Sequence, residues 1–252
     1  MTVERITNKK EMAENMERYE RERMLIGESS MRKLREAKVV LFGVGGVGSY
    51  AAEALGRAGV GHIVLVDNDT VSITNINRQL CALESTVGRL KTEVTAERLN
   101  DIDPEIKTEC VSMFILPENI EEVDLGGCDY IIDAVDTVSA KIAIAVRAKE
   151  LGIPMISSMG TGNKLDPTAL KISDLAKTSG CPLARVMRRE LKKRGIEHLP
   201  VVYSEESPIT PIYPSEDVDE RKKIPPGSIS FVPSVAGLLA ASAAIKHIIG
   251  EK

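Results

Sequence analysis

Residues 38–67 read KVVLFGVGGVGSYAAEALGRAGVGHIVLVD, and this stretch decides the fold. Its apolar runs at 38–42 and 62–67 predict two buried strands, and the alanine- and leucine-rich run 47–58 between them predicts a helix that Gly59 ends. The first strand passes directly into a turn that is rich in glycine. A strand, a glycine-rich turn, a helix and a second strand form a βαβ unit, so we expect a parallel sheet.

The rest of the chain continues this alternation, and its strands are continuously apolar, which predicts a sheet covered on both faces. We expect a Rossmann-like α/β domain at 38–252, mainly parallel, with helices on both faces and a C-terminal extension. An N-terminal helical segment precedes it at 1–37. Further strands are predicted over 106–111, 130–134, 154–158, 170–172 and 229–232, and helices over 9–36, 86–100, 138–151, 181–194 and 234–249.

A long substrate-loop region is expected at 174–227. Six of the twelve prolines of the chain fall between 200 and 226, which is too many for the interior of a helix or a central strand. We therefore predict a long, partly mobile loop over 200–226, of a length that is usually functional or disordered.

The composition limits the classes of function. Among 252 residues, 33 basic and 37 acidic side chains give a net charge of −4, Trp is absent and aromatics make up 3%. The net charge excludes binding of nucleic acid by bulk charge, although it does not exclude a local basic patch. The scarcity of aromatics disfavours a surface of stacking aromatic side chains. Four cysteines without a two-residue spacing indicate free thiols and no zinc. The N-terminal sequence has no apolar run, so we expect no signal peptide and a cytoplasmic protein.

The glycine-rich turn has the pattern G-x-G-x-x-G at Gly43, Gly45, Gly46 and Gly48. Glycines let backbone N–H groups approach a phosphate at the N-terminus of the following helix. Asp67 ends the next predicted strand and is expected to accept hydrogen bonds from a ribose. The pattern predicts a nucleotide site, although an NAD-dependent dehydrogenase would share it.

The residues that follow favour ATP over a dinucleotide. An arginine such as Arg78 can bind phosphate oxygens with two donors, and a lysine such as Lys91 can supply a point charge. Asp69 and Asp136 are candidate ligands for Mg²⁺, which prefers carboxylates together with phosphate oxygens. Asn75 belongs to the same segment and is counted with the nucleotide-binding residues. No G-x-x-x-x-G-K-[ST] sequence occurs, which excludes a P-loop ATPase.

Together these motifs resemble the ubiquitin-activating-enzyme-like adenylyltransferases, the ThiF, MoeB and HesA family. The shared patterns are G-x-G-G-x-G, D-x-D-x-V-x-x-x-N-x-x-R-Q at 67–79, V-G-x-x-K at 87–91 and D-x-x-D at 133–136. The resemblance implies a homodimer in which Arg21 reaches the ATP of the partner subunit. It also implies catalytic roles for Arg78, Lys91 and Asp136. The chain departs from the sulfur-carrier enzymes of that family in having Thr137 after Asp136 and in lacking their paired C-x-x-C motifs.

The second half is similar to a narrower family, the tRNA threonylcarbamoyladenosine dehydratases, through GNKLDPT at 162–168, ISDLAKT at 172–178, CPLA at 181–184 and YSEE at 203–206. This similarity implies that ATP adenylates the carboxylate of threonylcarbamoyladenosine in tRNA. An internal nucleophile then displaces AMP and closes a ring, with net loss of water. Because the attack is intramolecular, an enzyme thioester is not needed, and Cys181 is not expected to be catalytic.

An RNA substrate calls for positive charge. Arg185, Arg188, Arg189 and Lys192 share one face of the helix predicted at 181–194. A solvated helix face is the alternative interpretation, but the family resemblance favours contacts with phosphates.

Other interpretations stay open. One is an adenylyltransferase of a ubiquitin-like sulfur carrier, with a sulfur-transfer partner protein. Another is a non-catalytic nucleotide-binding scaffold, which intact Arg78, Lys91 and Asp136 argue against. The uncharged run 229–245 fits a small-residue helix packed on the sheet, which we expect, or peripheral membrane contact.

Overall fold

The computed structural model describes residues 17–212 and 226–251, and it confirms the Rossmann-like α/β fold. One seven-stranded sheet has the order β3-β2-β1-β4-β5-β7-β6. Its strands are β1 (Lys38–Phe42), β2 (His62–Val66), β3 (Lys107–Val111), β4 (Tyr130–Asp133), β5 (Met155–Ser158), β6 (Leu170–Asp174) and β7 (Pro200–Ser204). The α-helices within the described ranges are α1 (Glu20–Glu36), α2 (Gly48–Arg57), α3 (Lys91–Ile102), α4 (Val138–Leu151), α5 (Pro182–Lys192) and α6 (Phe231–Ile249).

The sheet is parallel except for β6, which runs antiparallel to β7. Strand β1 is buried at every position and pairs with β2 on one side and β4 on the other. The chain therefore winds outward from β1 in one direction and returns to β4 in the other. Such a reversal opens a crevice at the carboxyl ends of β1 and β4, where α/β proteins bind ligands.

The C-terminal helix α6 packs against α2, the helix that follows the glycine-rich turn. A Cβ atom on Gly237 would lie 2.2 Å from the carbonyl oxygen of Val47, so only glycine allows this approach. Among the described residues, α6 alone is long and apolar enough to cross a membrane, and half of its apolar window is buried inside the fold. The uncharged run 229–245 therefore contributes to a helix that packs on the fold, as expected.

Two expectations about the second half are wrong. The predicted loop over 200–226 begins with a strand, because Pro200–Ser204 forms β7 between β5 and β6. Pro200 is tolerated there because it is the first residue of the strand. The strand predicted at 229–232 is absent within the described residues, since helix α6 begins at Phe231. Pro233 lies in the first turn of α6, where a backbone donor is not required.

The helix predicted at 86–100 begins later, at Lys91. Gly88 adopts a φ of 87°, which no α-helix accommodates, and residues 87–90 form a turn closed by a bridge between Thr70 and Leu90. In the predicted helical segment 9–36, α1 covers 20–36 and bends at Gly27, whose φ is 78°. The part at 9–16 lies outside the described residues.

Candidate active site

A cavity of about 530 Å³ opens at the carboxyl ends of β1, β2, β4 and β5, a size typical of sites for small ligands. It brings together most of the predicted nucleotide-binding residues. These are Gly43, Gly45, Gly46, Asp67, Asp69, Asn75, Arg78, Lys91 and Asp136.

The glycine-rich turn forms the floor of the cavity, and its glycines are required by close backbone approaches. A Cβ atom on Gly48 would lie 1.8 Å from the carbonyl oxygen of Gly43. Gly43 itself has a φ of 85°, and a Cβ atom there would lie 2.8 Å from the backbone of Ala134, in the loop after β4. The turn therefore packs directly on the loop that carries Asp136.

Asp67 at the end of β2 holds this turn in place. Its Oδ2 accepts a hydrogen bond from the Val44 N–H at 2.7 Å, and its Oδ1 accepts one from the Asp69 N–H at 2.8 Å. An ionised carboxylate has about four acceptor positions, so both oxygens retain capacity for ribose hydroxyls. The ribose contact stays a prediction.

The side chains that are predicted to bind phosphate are held by the protein's own acceptors. Lys91 is 5% exposed, and its Nζ lies 2.8 Å from Oδ2 of Asp69. Nη1 of Arg78 donates to the Thr74 carbonyl at 2.9 Å and to Oδ1 of Asn77 at 3.0 Å. These contacts preorganise two cations beside the glycine-rich turn before any phosphate is bound.

Asn75 and Asp136 occupy different surroundings. Oδ1 of Asn75 accepts the Ser72 N–H at 3.1 Å and caps a short 3₁₀ helix, Ile73–Asn75. Asp136 is exposed where it lines the cavity and accepts a hydrogen bond from the Thr137 hydroxyl. Asp136 is therefore a candidate cation ligand, whereas Asp69 is already paired with Lys91. Across 17–212 and 226–251, no group of three or more His, Cys, Asp or Glu side chains could hold a metal.

A buried ion pair lies directly below the Asp136 loop, and sequence reasoning missed it. Nζ of Lys141 in α4 lies 3.1 Å from both carboxylate oxygens of Asp133 and 3.3 Å from Oγ of Ser157. The Val135 N–H donates to Oδ1 of Asp133 at 3.2 Å, which ties the loop to the pair. A lysine within the otherwise apolar run of α4 was the available signal.

The apolar wall of the cavity was also missed. Met113, Phe114 and Ile115 follow β3 and line the side beyond Asp67, where they suit a nucleobase. Phe114 is 49% exposed, so its ring is accessible to a ligand in the cavity. Apolar residues that continue past the end of a strand were the signal for this wall.

Arg21 does not line the cavity of its own subunit. It lies on the exposed side of α1, so its action on a partner's ATP stays a prediction. The start of α1 is anchored by the buried Asp103, which accepts hydrogen bonds from Arg18 at 2.6 Å, Tyr19 at 2.8 Å and Arg35 at 2.8 Å. Burial raises the pKa of Asp103, but these bonds and one from the Glu105 N–H outweigh burial and lower it.

The basic face of α5 is less uniform than predicted. Arg188 is half-buried and donates to the carbonyl and hydroxyl of Thr178, so it holds the preceding loop. Arg189 is exposed but lies 3.0 Å from Glu190, which also pairs with two neighbouring cations. Hydrogen bonds from Lys193 and Arg189 hold the pKa of Glu190 at about 2. The exposed cations of the predicted set are Arg185, Arg189 and Lys192.

The fold and the cavity define a nucleotide-binding protein of the doubly wound α/β class. The chain belongs to the ThiF family, whose model matches residues 19–252. It is 44% identical over 247 residues to the tRNA threonylcarbamoyladenosine dehydratase of Bacillus subtilis, covering 94% of this chain and 96% of that protein.

Solved structures agree with this assignment. The tRNA N6-threonylcarbamoyladenosine dehydratase of E. coli in complex with ATP superimposes with a TM-score of 0.84 at 35% identity, over 93% of this chain and 95% of that one. The complex of the same enzyme with AMP gives a TM-score of 0.85, again over 93% of this chain and 95% of that one. A more distant relative, the adenylyltransferase and sulfurtransferase MOCS3 of Drosophila sechellia, is 32% identical over 61% of this chain and 34% of its own length.

Proposed function

We propose that this protein catalyses the ATP-dependent dehydration of threonylcarbamoyladenosine in tRNA. The observation that carries the proposal is the continuous cavity, which joins the glycine-rich turn, Arg78, Lys91 and Asp136 to a second wall formed after β5. The first group suits a nucleoside triphosphate, and the second wall leaves room for another reactant beside it. The 44% identity to a dehydratase over nearly the whole chain supports the choice of substrate.

The chemistry has two steps. An oxygen of the substrate carboxylate attacks the α-phosphorus of ATP, pyrophosphate leaves, and an acyl adenylate forms. A nucleophile of the same side chain then attacks the activated carbonyl carbon and AMP leaves, so the base is cyclised with net loss of one water. The second attack is intramolecular, and the enzyme contributes to it by holding the reacting groups close.

Arg78 and Lys91 act on the triphosphate in this mechanism. Both cations lie beside the glycine-rich turn, where they stabilise the negative charge that develops on the leaving pyrophosphate. Lys91 is paired with Asp69 at 2.8 Å, so a bound phosphate shares this ammonium with the carboxylate or replaces it. The backbone N–H groups of the turn supply further donors.

Asp136 suits a Mg²⁺ ion that also binds phosphate oxygens, because its carboxylate is exposed in the cavity. When bound, the ion would neutralise charge on the triphosphate. Asp69 retains Oδ1 for the same ion while Oδ2 pairs with Lys91.

Cys181 has no part in this mechanism. It is 3% exposed, and it does not line the cavity, although its neighbour Leu183 does. We expect a Cys181→Ser variant to retain most of the activity, because no thioester to the enzyme is required. A stable but inactive Cys181→Ser protein would restore the covalent mechanism.

The enzyme is proposed to act in the cytoplasm as a homodimer, with Arg21 of one subunit completing the site of the other. The tRNA is proposed to lie along the exposed cations of α5. Replacing Arg185, Arg189 and Lys192 together with alanine should raise the KM for tRNA and flatten its log–log salt dependence by about 0.7 to 0.9 per lost phosphate contact. Lys107→Ala, on the opposite edge strand of the sheet, serves as the exposed-cation control.

The deciding experiment mixes the protein, Mg-ATP and tRNA that carries threonylcarbamoyladenosine. We expect AMP and a nucleoside lighter by one water, measured by mass spectrometry after digestion. Asp136→Ala should fold normally and form neither product. Consumption of ATP without a lighter nucleoside would refute the assignment.

The similarity to MOCS3 favours one second candidate, adenylation of a ubiquitin-like sulfur carrier. Pyrophosphate exchange into ATP that depends on a carrier ending in Gly-Gly, and not on tRNA, would support this alternative. Absence of AMP formation with both substrates would instead support a nucleotide-binding scaffold.

A further inference from the structure

Asn163 has an unusual backbone conformation beside the cavity. Its φ is 58°, and among the described residues no other non-glycine residue has a positive φ. Asparagine adopts the left-handed region more readily than most residues, but the conformation still has a cost. Such residues persist where the surrounding structure fixes them, and they cluster at functional sites.

Three hydrogen bonds explain why Asn163 is held in this way. The Gly227 N–H donates to the Asn163 side-chain Oδ1 at 2.6 Å, and the Asn163 N–H donates to the Gly227 carbonyl at 2.7 Å. The Ile209 N–H donates to the Asn163 carbonyl at 2.7 Å. One residue therefore ties the loop after β5 to two segments that are distant in sequence, and we call this arrangement the Asn163 clamp.

Neighbouring contacts strengthen the clamp. Nζ of Lys164, which is 3% exposed, donates to the carbonyls of Ser204 at 3.1 Å and Glu206 at 2.8 Å. Burial lowers the pKa of Lys164. A Cβ atom on Gly162 would lie 2.7 Å from Cβ of Pro226, so the two segments are in direct contact.

The clamp borders the part of the cavity that a nucleotide leaves open. The predicted ribose ligand, Asp67, follows β2, and β5 is three strands away in the sheet order, or about 14 Å at 4.8 Å per strand. The wall near β5 consists of 160–162 together with Pro226 and Ser228. In the proposed arrangement the ribose lies at Asp67 and the phosphates lie near Arg78, Lys91 and Asp136, which leaves this wall for the second reactant.

We propose that Asn163 is a positioning residue for the tRNA side of the reaction. By holding 161–163 against 226–228, it fixes the wall on which the carboxylate-bearing side chain rests for its attack on ATP. The inference rests on the proposed function, and it assigns Asn163 no part in binding ATP.

Three substitutions separate the hydrogen-bond acceptor from the backbone conformation. Asn163→Asp keeps the acceptor and tolerates the left-handed region. Asn163→Gly loses the acceptor but favours the conformation, and Asn163→Ala loses the acceptor and is strained there. Melting temperatures should therefore be close to that of the parent for the Asp and Gly variants and lower for the Ala variant.

The ranking of the three variants by kcat/KM should differ from their ranking by melting temperature. We expect kcat/KM for modified tRNA to fall about 5- to 10-fold in both the Gly and Ala variants, as for loss of one hydrogen bond. The Asp variant should stay within about two-fold of the parent at about 0.3 M salt, which screens its added charge. The affinity for ATP should change less than about two-fold in all three.

Two results would overturn the proposal. If kcat/KM followed the melting temperature, so that the Gly variant matched the parent, Asn163 would be structural only. If ATP affinity fell as much as kcat/KM for tRNA, the residue would not act on the tRNA side. A parent protein without dehydratase activity would refute the proposed function instead. In that case the clamp is tested by the rate of hydrogen exchange of the Gly227 amide. This rate must rise at least about ten-fold in Asn163→Gly, and an unchanged rate would refute the clamp.

Discussion

Replacing Lys141 with methionine would remove the cation from an ion pair that is shut off from solvent. The side chains of Lys141 and Asp133 are 1% and 0% exposed, and Nζ is 3.1 Å from both carboxylate oxygens. Oγ of Ser157 also donates to Asp133, at 2.5 Å. The Lys141→Met variant therefore leaves a buried carboxylate with hydrogen bonds but no countercharge.

The size of the effect follows from the burial. Removing one partner of a buried pair costs about 3–5 kcal/mol, because the remaining charge stays desolvated. For a domain of this length, each 1 kcal/mol lowers the melting temperature by about 2–4 °C. We expect a fall of about 6–20 °C for Lys141→Met. Adding Asp133→Asn removes the stranded charge but keeps an acceptor for the Val135 N–H, so it should restore more than half of the loss.

Thermal and urea unfolding by circular dichroism measures the change, since the chain has no tryptophan for fluorescence. The matched control is Arg147→Met on the same helix. Arg147 pairs with Glu150 at 3.3 Å and Glu121 at 3.6 Å, and these carboxylates are 54% and 75% exposed. Because water screens such pairs, the free energy of unfolding of the control variant should fall by less than about 1 kcal/mol.

Two results would contradict these expectations. A Lys141→Met protein that unfolds within about 1 kcal/mol of the parent would show that the pair is not an isolated buried charge pair. A double variant less stable than Lys141→Met alone would show that Asp133 stabilises the fold without its cation.

Three further outcomes are expected. Asp103→Asn should lower the free energy of unfolding by about 2 kcal/mol at pH 7, as for loss of charge-assisted hydrogen bonds. Because folding lowers the pKa of Asp103, the ionised form stabilises the fold above its ordinary pKa near 4, so the difference from the parent in urea unfolding should shrink as the pH falls below that value. A difference that stays constant from pH 3 to 7 would contradict this expectation. Mixing Arg21→Ala with Lys91→Ala protein should restore part of the AMP formation, since a mixed dimer contains one intact composite site; no recovery at any ratio would refute the action of Arg21 on the partner's ATP. Gly237→Val should lower both the stability of the fold and the affinity for ATP, because the new side chain meets the Val47 carbonyl beside the glycine-rich turn. Unchanged ATP affinity by calorimetry would show that the packing of α6 does not control the turn.

The first half of the fold was predictable because its signals are local. Strands β1 and β2 are unbroken apolar runs, and α4 ends where Gly152 takes a φ of 68°. Strand β7 could not be found this way, because its leading proline placed it inside a proline-rich run. The start of α6 is hard to predict for a related reason, because a proline usually interrupts a helix, whereas Pro233 lies in the first turn of this one.

The residues of the candidate site also fall into those with a local sequence signal and those without one. Arg78, Lys91 and Asp67 were predicted because they follow the glycine-rich turn at short spacings, and all three line the cavity. Asn163 could not be predicted in the same way, because its role depends on Ile209 and Gly227, which tertiary structure brings to it. Contacts between segments so distant in sequence leave no periodic or local signature.

The close contact between α6 and the glycine-rich turn has a consequence for biosynthesis. Residues 231–249 leave the ribosome after every strand of the sheet, yet they supply the packing partner of the helix that follows this turn. Until they emerge, the face of α2 that packs on α6 is exposed to solvent, and the turn is held only by Asp67 and by the loop after β4. We expect nascent chains that stop before residue 231 to be retained by chaperones and to be unable to bind ATP, so that nucleotide binding begins only once α6 has been synthesised.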